Sequence, residues 1–261
     1  RLYDLPERVF PSSVLQQPLP DEPQAQRALL LHAAQALGVG SVSWYSYAMT
    51  LHNVPIMLIG TSIATAAFPR LIDRISQGRQ DLFRKEFLEI LRAMIWITVP
   101  VVIVAFFCRG YLARLIYKDV APEVALIFGF LTIAILFRII YALVSRYFYA
   151  HKDSKTPLLV SLIAIGLNIL LAFMLARKDA YGVAGLALSQ SIAAGVEVLI
   201  LSAIIAWRDS LLFRNADFWS GIWRIIGVSG FCVVAGFIML QLYPLGLYDR
   251  GFTLIAKLAA I

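Results

Sequence analysis

The chain has 261 residues, of which 60% are hydrophobic and only 15% charged, with a mean hydropathy of +0.78. A soluble domain carries about 45–50% apolar and about 25% charged residues, so this composition leaves too little polar surface to cover a water-soluble fold. The formal net charge of +7 needs no nucleic-acid partner, because cations that flank membrane spans and face anionic lipid explain it.

Residues 1–26 are the only soluble-looking stretch, and Pro6, Pro11, Pro18, Pro20 and Pro23 exclude a long helix there. The segment reads as a proline-rich extramembrane arm or linker. Residues 27–37 look helical but are too short to span a bilayer alone, and Gly38 to Ser41 read as a turn. Apolar blocks then recur at about 20 residues, the length that crosses a hydrocarbon core about 30 Å thick. Six spans are predicted, over 43–69, 88–108, 123–146, 157–177, 181–207 and 221–243. No stretch carries the alternating pattern of a membrane β-barrel, so helices remain the way to satisfy the backbone in lipid. The expected class is all-α, a polytopic transmembrane helix bundle.

The separators carry charge, Gly or Pro. One holds a short amphipathic piece, Tyr111 to Lys118, expected at the interface. Tyr111, Trp207, Trp219 and Trp223 sit near span ends, where an aromatic belt places them. The chain starts at Arg1 with no signal-peptide pattern. It stops at Ile261 inside an apolar run from Gly251 that is too short to span. Both ends therefore read as cut from a longer protein.

Orientation follows from the basic loops. The loops after the first, third and fifth spans hold Arg70, Arg74, Arg79, Arg84, Lys85, Lys152, Lys155, Arg208 and Arg214, nine cations against six on the other side. The positive-inside rule then makes loops 70–87, 147–156 and 208–220 cytoplasmic.

Ionisable groups inside spans are costly and are functional candidates by default. Glu197 lies mid-span, with Ala193, Ala194, Ile200 and Leu201 as its helical neighbours. It is expected to meet a polar cavity, an arginine of another helix or a structural interhelical bond. Arg138 and Arg146 lie eight residues apart on one predicted helix. A shared face would suit a phosphate, whose oxygens match the guanidinium fork. Snorkelling toward the headgroups is the competing reading for both, and for Arg92. Pro55 and Pro100 interrupt the first two spans and are hinge candidates, with a static kink as the alternative. Asn53 and His52 lie beside Pro55, and His52 is either a hydrogen-bonded structural residue or a proton-linked group. Cys108 and Cys232 read as plain buried thiols, with no CxxC spacing and no metal set. Neither a cofactor nor a catalytic motif is indicated: GxSxG, HExxH, a P-loop and intramembrane carboxylate pairs are absent from the sequence.

Two segments carry a family resemblance. The first is GSVSWYSYAMTLHNVPIMLIGTSIATAAFPRL, residues 40–71, in which Tyr47, Ala48, Leu51, Pro55, Ala64, Pro69 and Leu71 fit the pattern. The second is RYFYAHKDSKTP, residues 146–157, in which Arg146, Phe148, Tyr149, Ala150, Asp153, Thr156 and Pro157 fit R-x-F-Y-A-x-x-D-x-x-T-P. With the spans between and after, this order of motifs resembles the MurJ (MviN) lipid II flippases of the MOP transporter superfamily over about residues 27–245.

The resemblance implies a MOP/MATE-like second six-helix lobe over 27–208, its first helix short, and additional C-terminal helices over 209–261, the last one truncated. It implies transport of a lipid-linked oligosaccharide by alternating access across the bacterial inner membrane. The partners are then that substrate and membrane lipid, with a coupling ion left open. Arg146 carries over with its motif as a cavity or gate residue. Thr50 departs: many relatives have at its position a cavity arginine held to contact the lipid pyrophosphate. Another MOP transporter, either a polysaccharide flippase or an antiporter, and a non-transporting scaffold of cell-wall synthesis are the alternatives. A membrane glycosyltransferase would need acidic catalytic residues that the sequence does not offer.

Overall fold

The structure, a computed structural model, describes residues 40–117, 121–176, 181–212 and 216–242. The predicted arm (1–26), the short helix (27–37) and the terminal run (251–261) lie outside the described residues. The elements among the described residues are all helices: α1 (Ser41–Pro55), a π-helical segment (Ile56–Thr61), α2 (Ser62–Ser76), α3 (Gln80–Phe107), α4 (Arg109–Tyr117), α5 (Ala121–Ala150), α6 (Lys155–Leu175), α7 (Val183–Arg208) and α8 (Ala216–Leu242). Among the described residues, six helical runs are long and apolar enough to cross a membrane, with α1, the π segment and α2 counting as one. Each overlaps a predicted span, and together they make this a membrane protein.

The boundaries differ from the predicted ones where charge meets helix. The first run reaches Ser76 and α3 begins at Gln80, so most of the basic 70–87 stretch is helix and the connection shrinks to three residues. Charged residues end a hydrophobic block without ending the backbone hydrogen bonding. Arg74 and Glu86 then pair at 2.7 Å across the hairpin of α2 and α3. Gly78, at φ +71, makes the reversal in a conformation L side chains rarely adopt. Pro55, expected to interrupt the first span, does not end the helix. A π turn follows it, widening the backbone ring by one residue and letting the helix continue.

α5 is the axis of the bundle. Of its most apolar stretch 61% is buried, against 6% for α8. Ile127, Leu131, Ile135, Ile139 and Leu143 are fully enclosed by α1, the π segment, α3, α4 and α7. α7 meets it with small residues, Ala187, Ser191, Ala194 and Gly195 among them. Small side chains let membrane helices approach closely, where van der Waals packing replaces the hydrophobic drive available in water. Polar bonds add to the packing of α7: Ser191 Oγ donates to the Phe130 carbonyl of α5 at 2.7 Å, and Tyr45 Oη of α1 donates to Gln190 Oε1 at 2.8 Å. α6 packs outside α7, and α8 packs outside α3. Their outer faces expose Leu162, Phe173, Trp223 and Phe231, surfaces that suit lipid.

Candidate functional site

α5 carries both candidate arginines, but to different neighbours. Eight residues advance an α-helix about 80° beyond two full turns, which is enough to separate the two side chains. Arg138 faces α7, with Nη1 lying 3.6 Å from Glu197 Oε2. Glu197 is 5% exposed and Arg138 23%. Ser161 of α6 donates to Glu197 Oε1 at 2.6 Å, and Tyr141 Oη lies 3.0 Å from Ser161 Oγ. Ser161 has one proton and gives it to Glu197, so Tyr141 is the donor to Ser161. Three helices thus converge on one carboxylate.

Arg146 sits two turns further on and is 7% exposed. Its guanidinium lies 5.1 Å from the Phe68 ring of α2 and 5.9 Å from the Tyr149 ring. Its Nε has no hydrogen-bond partner among the described residues, and no carboxylate there forms a salt bridge with it. Aromatic faces attract a cation without cancelling its charge. Arg146 is therefore held in place with capacity left for an anion.

The rest of its motif is structural. Phe148 and Ala150 are buried. Asp153 accepts the Thr156 backbone N–H at 3.1 Å and the Thr156 hydroxyl at 2.7 Å, closing the first turn of α6. Arg208, at the end of α7, donates to Asp153 and, at 3.0 Å, to Thr156 Oγ1. Arg84 binds Asp209 at 2.7 Å beside it. The three basic loops thus lie at one end of the bundle, tied by ion pairs.

Thr50 and Asn53 are both exposed, three residues apart on α1. Thr50 Oγ1 donates to the Ser46 carbonyl at 3.0 Å, within its own helix. His52 turns the other way, buried, with Nδ1 3.1 Å from the Leu131 carbonyl. Pro100 lies inside α3 and lines a shallow apolar crevice with Trp96, Ile225, Ser229 and Cys232. Both cysteines are free, with Cys108 buried and Cys232 half-buried. The sequence reading missed Ser161, Tyr141 and Arg208. Asp-x-x-Thr-Pro was a legible helix-start signal, whereas a serine inside an apolar span gives no comparable sign. It also missed Asn168, which is buried in the middle of α6 with neither amide atom bonded among the described residues.

The chain as a whole is matched by known proteins. The family model described as "Lipid II flippase MurJ" matches residues 24–256. The chain belongs to the MurJ family. A probable lipid II flippase MurJ of Borreliella burgdorferi is 27% identical over 182 residues, covering 67% of this chain and 35% of that protein. The lipid II flippase MurJ of Thermosipho africanus is 28% identical over 230 residues, covering 78% and 47%. The chain thus spans between about a third and a half of the length of the curated relatives it matches. A solved structure, "Lipid II flippase MurJ, inward closed conformation", superposes with a TM-score of 0.71 over 90% of this chain and 48% of its own, at 22% identity. That last likeness speaks to the MurJ fold alone.

Proposed function

We propose that this chain serves as part of a lipid II flippase. In this reading residues 27–208 supply the second lobe and residues 209–261 the additional C-terminal helices. The protein is a transporter and not an enzyme. It carries a lipid-linked peptidoglycan precursor across the inner membrane by alternating access, making and breaking no bond. Loops 70–87, 147–156 and 208–220 face the cytoplasm, by their excess of cations.

The observation that carries this reading is Arg146, a buried guanidinium with no carboxylate partner among the described residues, inside a chain that matches the MurJ family over residues 24–256. An intramembrane cation left unneutralised is costly unless something anionic visits it. A pyrophosphate offers oxygens that fit the guanidinium fork. Arg138, Glu197, Thr50 and Asn53 are proposed as further cavity residues, with Pro55 and Pro100 as bending points. The test uses the full-length protein. Depleting it should make the precursor accumulate on the cytoplasmic face, and restoring it with Arg146→Ala at normal membrane levels should fail to relieve the block. Full rescue by Arg146→Ala would return Arg146 to a headgroup-facing role.

Thr50 favours a second reading, a non-transporting scaffold of cell-wall synthesis. It is neutral, and its hydroxyl is spent on its own helix at Ser46. Under that reading precursor export continues after depletion.

A further inference from the structure

Arg146 spends none of its donors. Its guanidinium makes no hydrogen bond among the described residues, although its Nε is buried. What holds it is aromatic: the Phe68 ring of α2 at 5.1 Å, and the Tyr149 ring, about one turn further along α5, at 5.9 Å. A guanidinium set against two rings keeps its charge and is steadied by them. Two tyrosine hydroxyls interact with it electrostatically, those of Tyr149 and Tyr141. Tyr141 gives its proton to Ser161, at 3.0 Å. Tyr149 makes no hydrogen bond among the described residues, so its proton is unspent. A guanidinium and a phenol thus lie side by side as donors without an acceptor. Both are close to the end of α5 at Ala150. The end of a span is the depth at which the phosphates of a bilayer leaflet lie.

We propose that Arg146 and Tyr149 together form a site that selects a pyrophosphate over the single phosphate of an ordinary membrane lipid. The guanidinium fork takes two oxygens at once. A phosphodiester headgroup has only two oxygens outside its ester links, and the fork alone serves them. A pyrophosphate joining two substituents spreads four such oxygens over two phosphorus atoms, so a third donor still finds an acceptor. Tyr149 is that donor and sets the specificity. Phe68 is a positioning residue: it touches no phosphate and fixes the plane of the fork. The proposal deepens the flippase reading and rests on it. A lipid-linked precursor shares its leaflet and its depth with a large excess of phospholipid, and the pyrophosphate linkage is what tells the two apart.

The test measures equilibrium binding of radiolabelled inorganic pyrophosphate to the full-length protein in a phosphate-free detergent, with short-chain phosphatidylglycerol as competitor. The parent should hold pyrophosphate in preference to the phospholipid. Tyr149→Phe keeps the ring and removes only the hydroxyl. It should weaken pyrophosphate binding about tenfold, the usual loss for a hydrogen bond to a charged group, and leave phosphatidylglycerol binding unchanged. Arg146→Lys keeps the charge without the fork and should weaken both ligands. Phe68→Leu should also weaken both, and should add nothing in an Arg146→Ala background, as residues acting through one group do. Unchanged pyrophosphate affinity in a folded Tyr149→Phe would overturn the proposal, as would an equal loss of both ligands in that variant. Displacement of pyrophosphate from the parent by phosphatidylglycerol at equal concentration would assign the site to bulk headgroups and overturn it too. No measurable pyrophosphate binding by the parent has the same consequence. The flippase reading fails separately, by normal precursor export after depletion.

Discussion

Asp153 joins three helices through one carboxylate. It closes the first turn of α6 through Thr156 and receives Arg208 from the end of α7. Burial pushes its carboxyl up, but the hydrogen bonds from Thr156 and Arg208 outweigh that and lower it from its ordinary 3.8 to about 2. A carboxyl depressed by folding contributes stability that is fully present above its unfolded value, near 4, and is lost as pH falls through about 2. Asp153→Asn is therefore expected to lower the thermal midpoint of the purified protein at pH 7 by a few degrees, roughly what a lost charged cap costs. It should also flatten the fall in stability between pH 4 and pH 2. An unchanged midpoint and an unchanged acid slope would show that the contact contributes nothing. At this scale the sequence was informative about single groups and silent about pairs. Arg138 and Glu197 each stood out because a charge in an apolar span is conspicuous. Their meeting at 3.6 Å depends on how α5 and α7 are rotated against each other, which no local pattern encodes. Asn168 shows the reverse: one amide in a long apolar run drew no notice, yet it is buried without a partner among the described residues.

The spans were legible because lipid imposes one length on every apolar block. Their ends were not, since a helix continues through charged residues as readily as through leucines, and Arg74 with Glu86 even reinforces the extension. Close approach between elements leaves a clearer residue signature. α7 begins beside the end of α6, and Gly185 lies so near that a Cβ there would fall 2.3 Å from the Leu175 carbonyl oxygen. That neighbour is backbone and cannot swing aside. Gly185→Ala is expected to push the two helices apart and to destabilise the protein by about 1–3 kcal/mol, the usual cost of overpacking. Thermal unfolding in a fixed detergent measures this, and a midpoint equal to the parent's would mean that the α6–α7 contact yields freely.

Across the whole molecule, burial falls outward from α5 to the thinly covered α6 and α8, as expected where the surrounding solvent is hydrocarbon. Ion pairs concentrate at the end that holds the connections after α2, α5 and α7. If that end is cytoplasmic, a cysteine at exposed Gln80 should react with a membrane-impermeant maleimide only after the inner membrane is opened. A cysteine at Tyr181, 56% exposed at the opposite end, should react from outside, with Cys108 and Cys232 changed to serine in both. The reverse pattern would invert the assignment. The π segment after Pro55 bears on descent as well as shape. A wide turn stores one surplus residue while the helix on either side keeps its faces, so Tyr45 and Ala48 before it and Ala64, Phe68 and Leu71 after it all stay buried. A relative that lacks the turn can present the same faces with one residue fewer between the positions matching Thr50 and Pro69. A single-residue gap confined to that stretch then records the loss or gain of a turn, and the chain on both sides of it has kept its place.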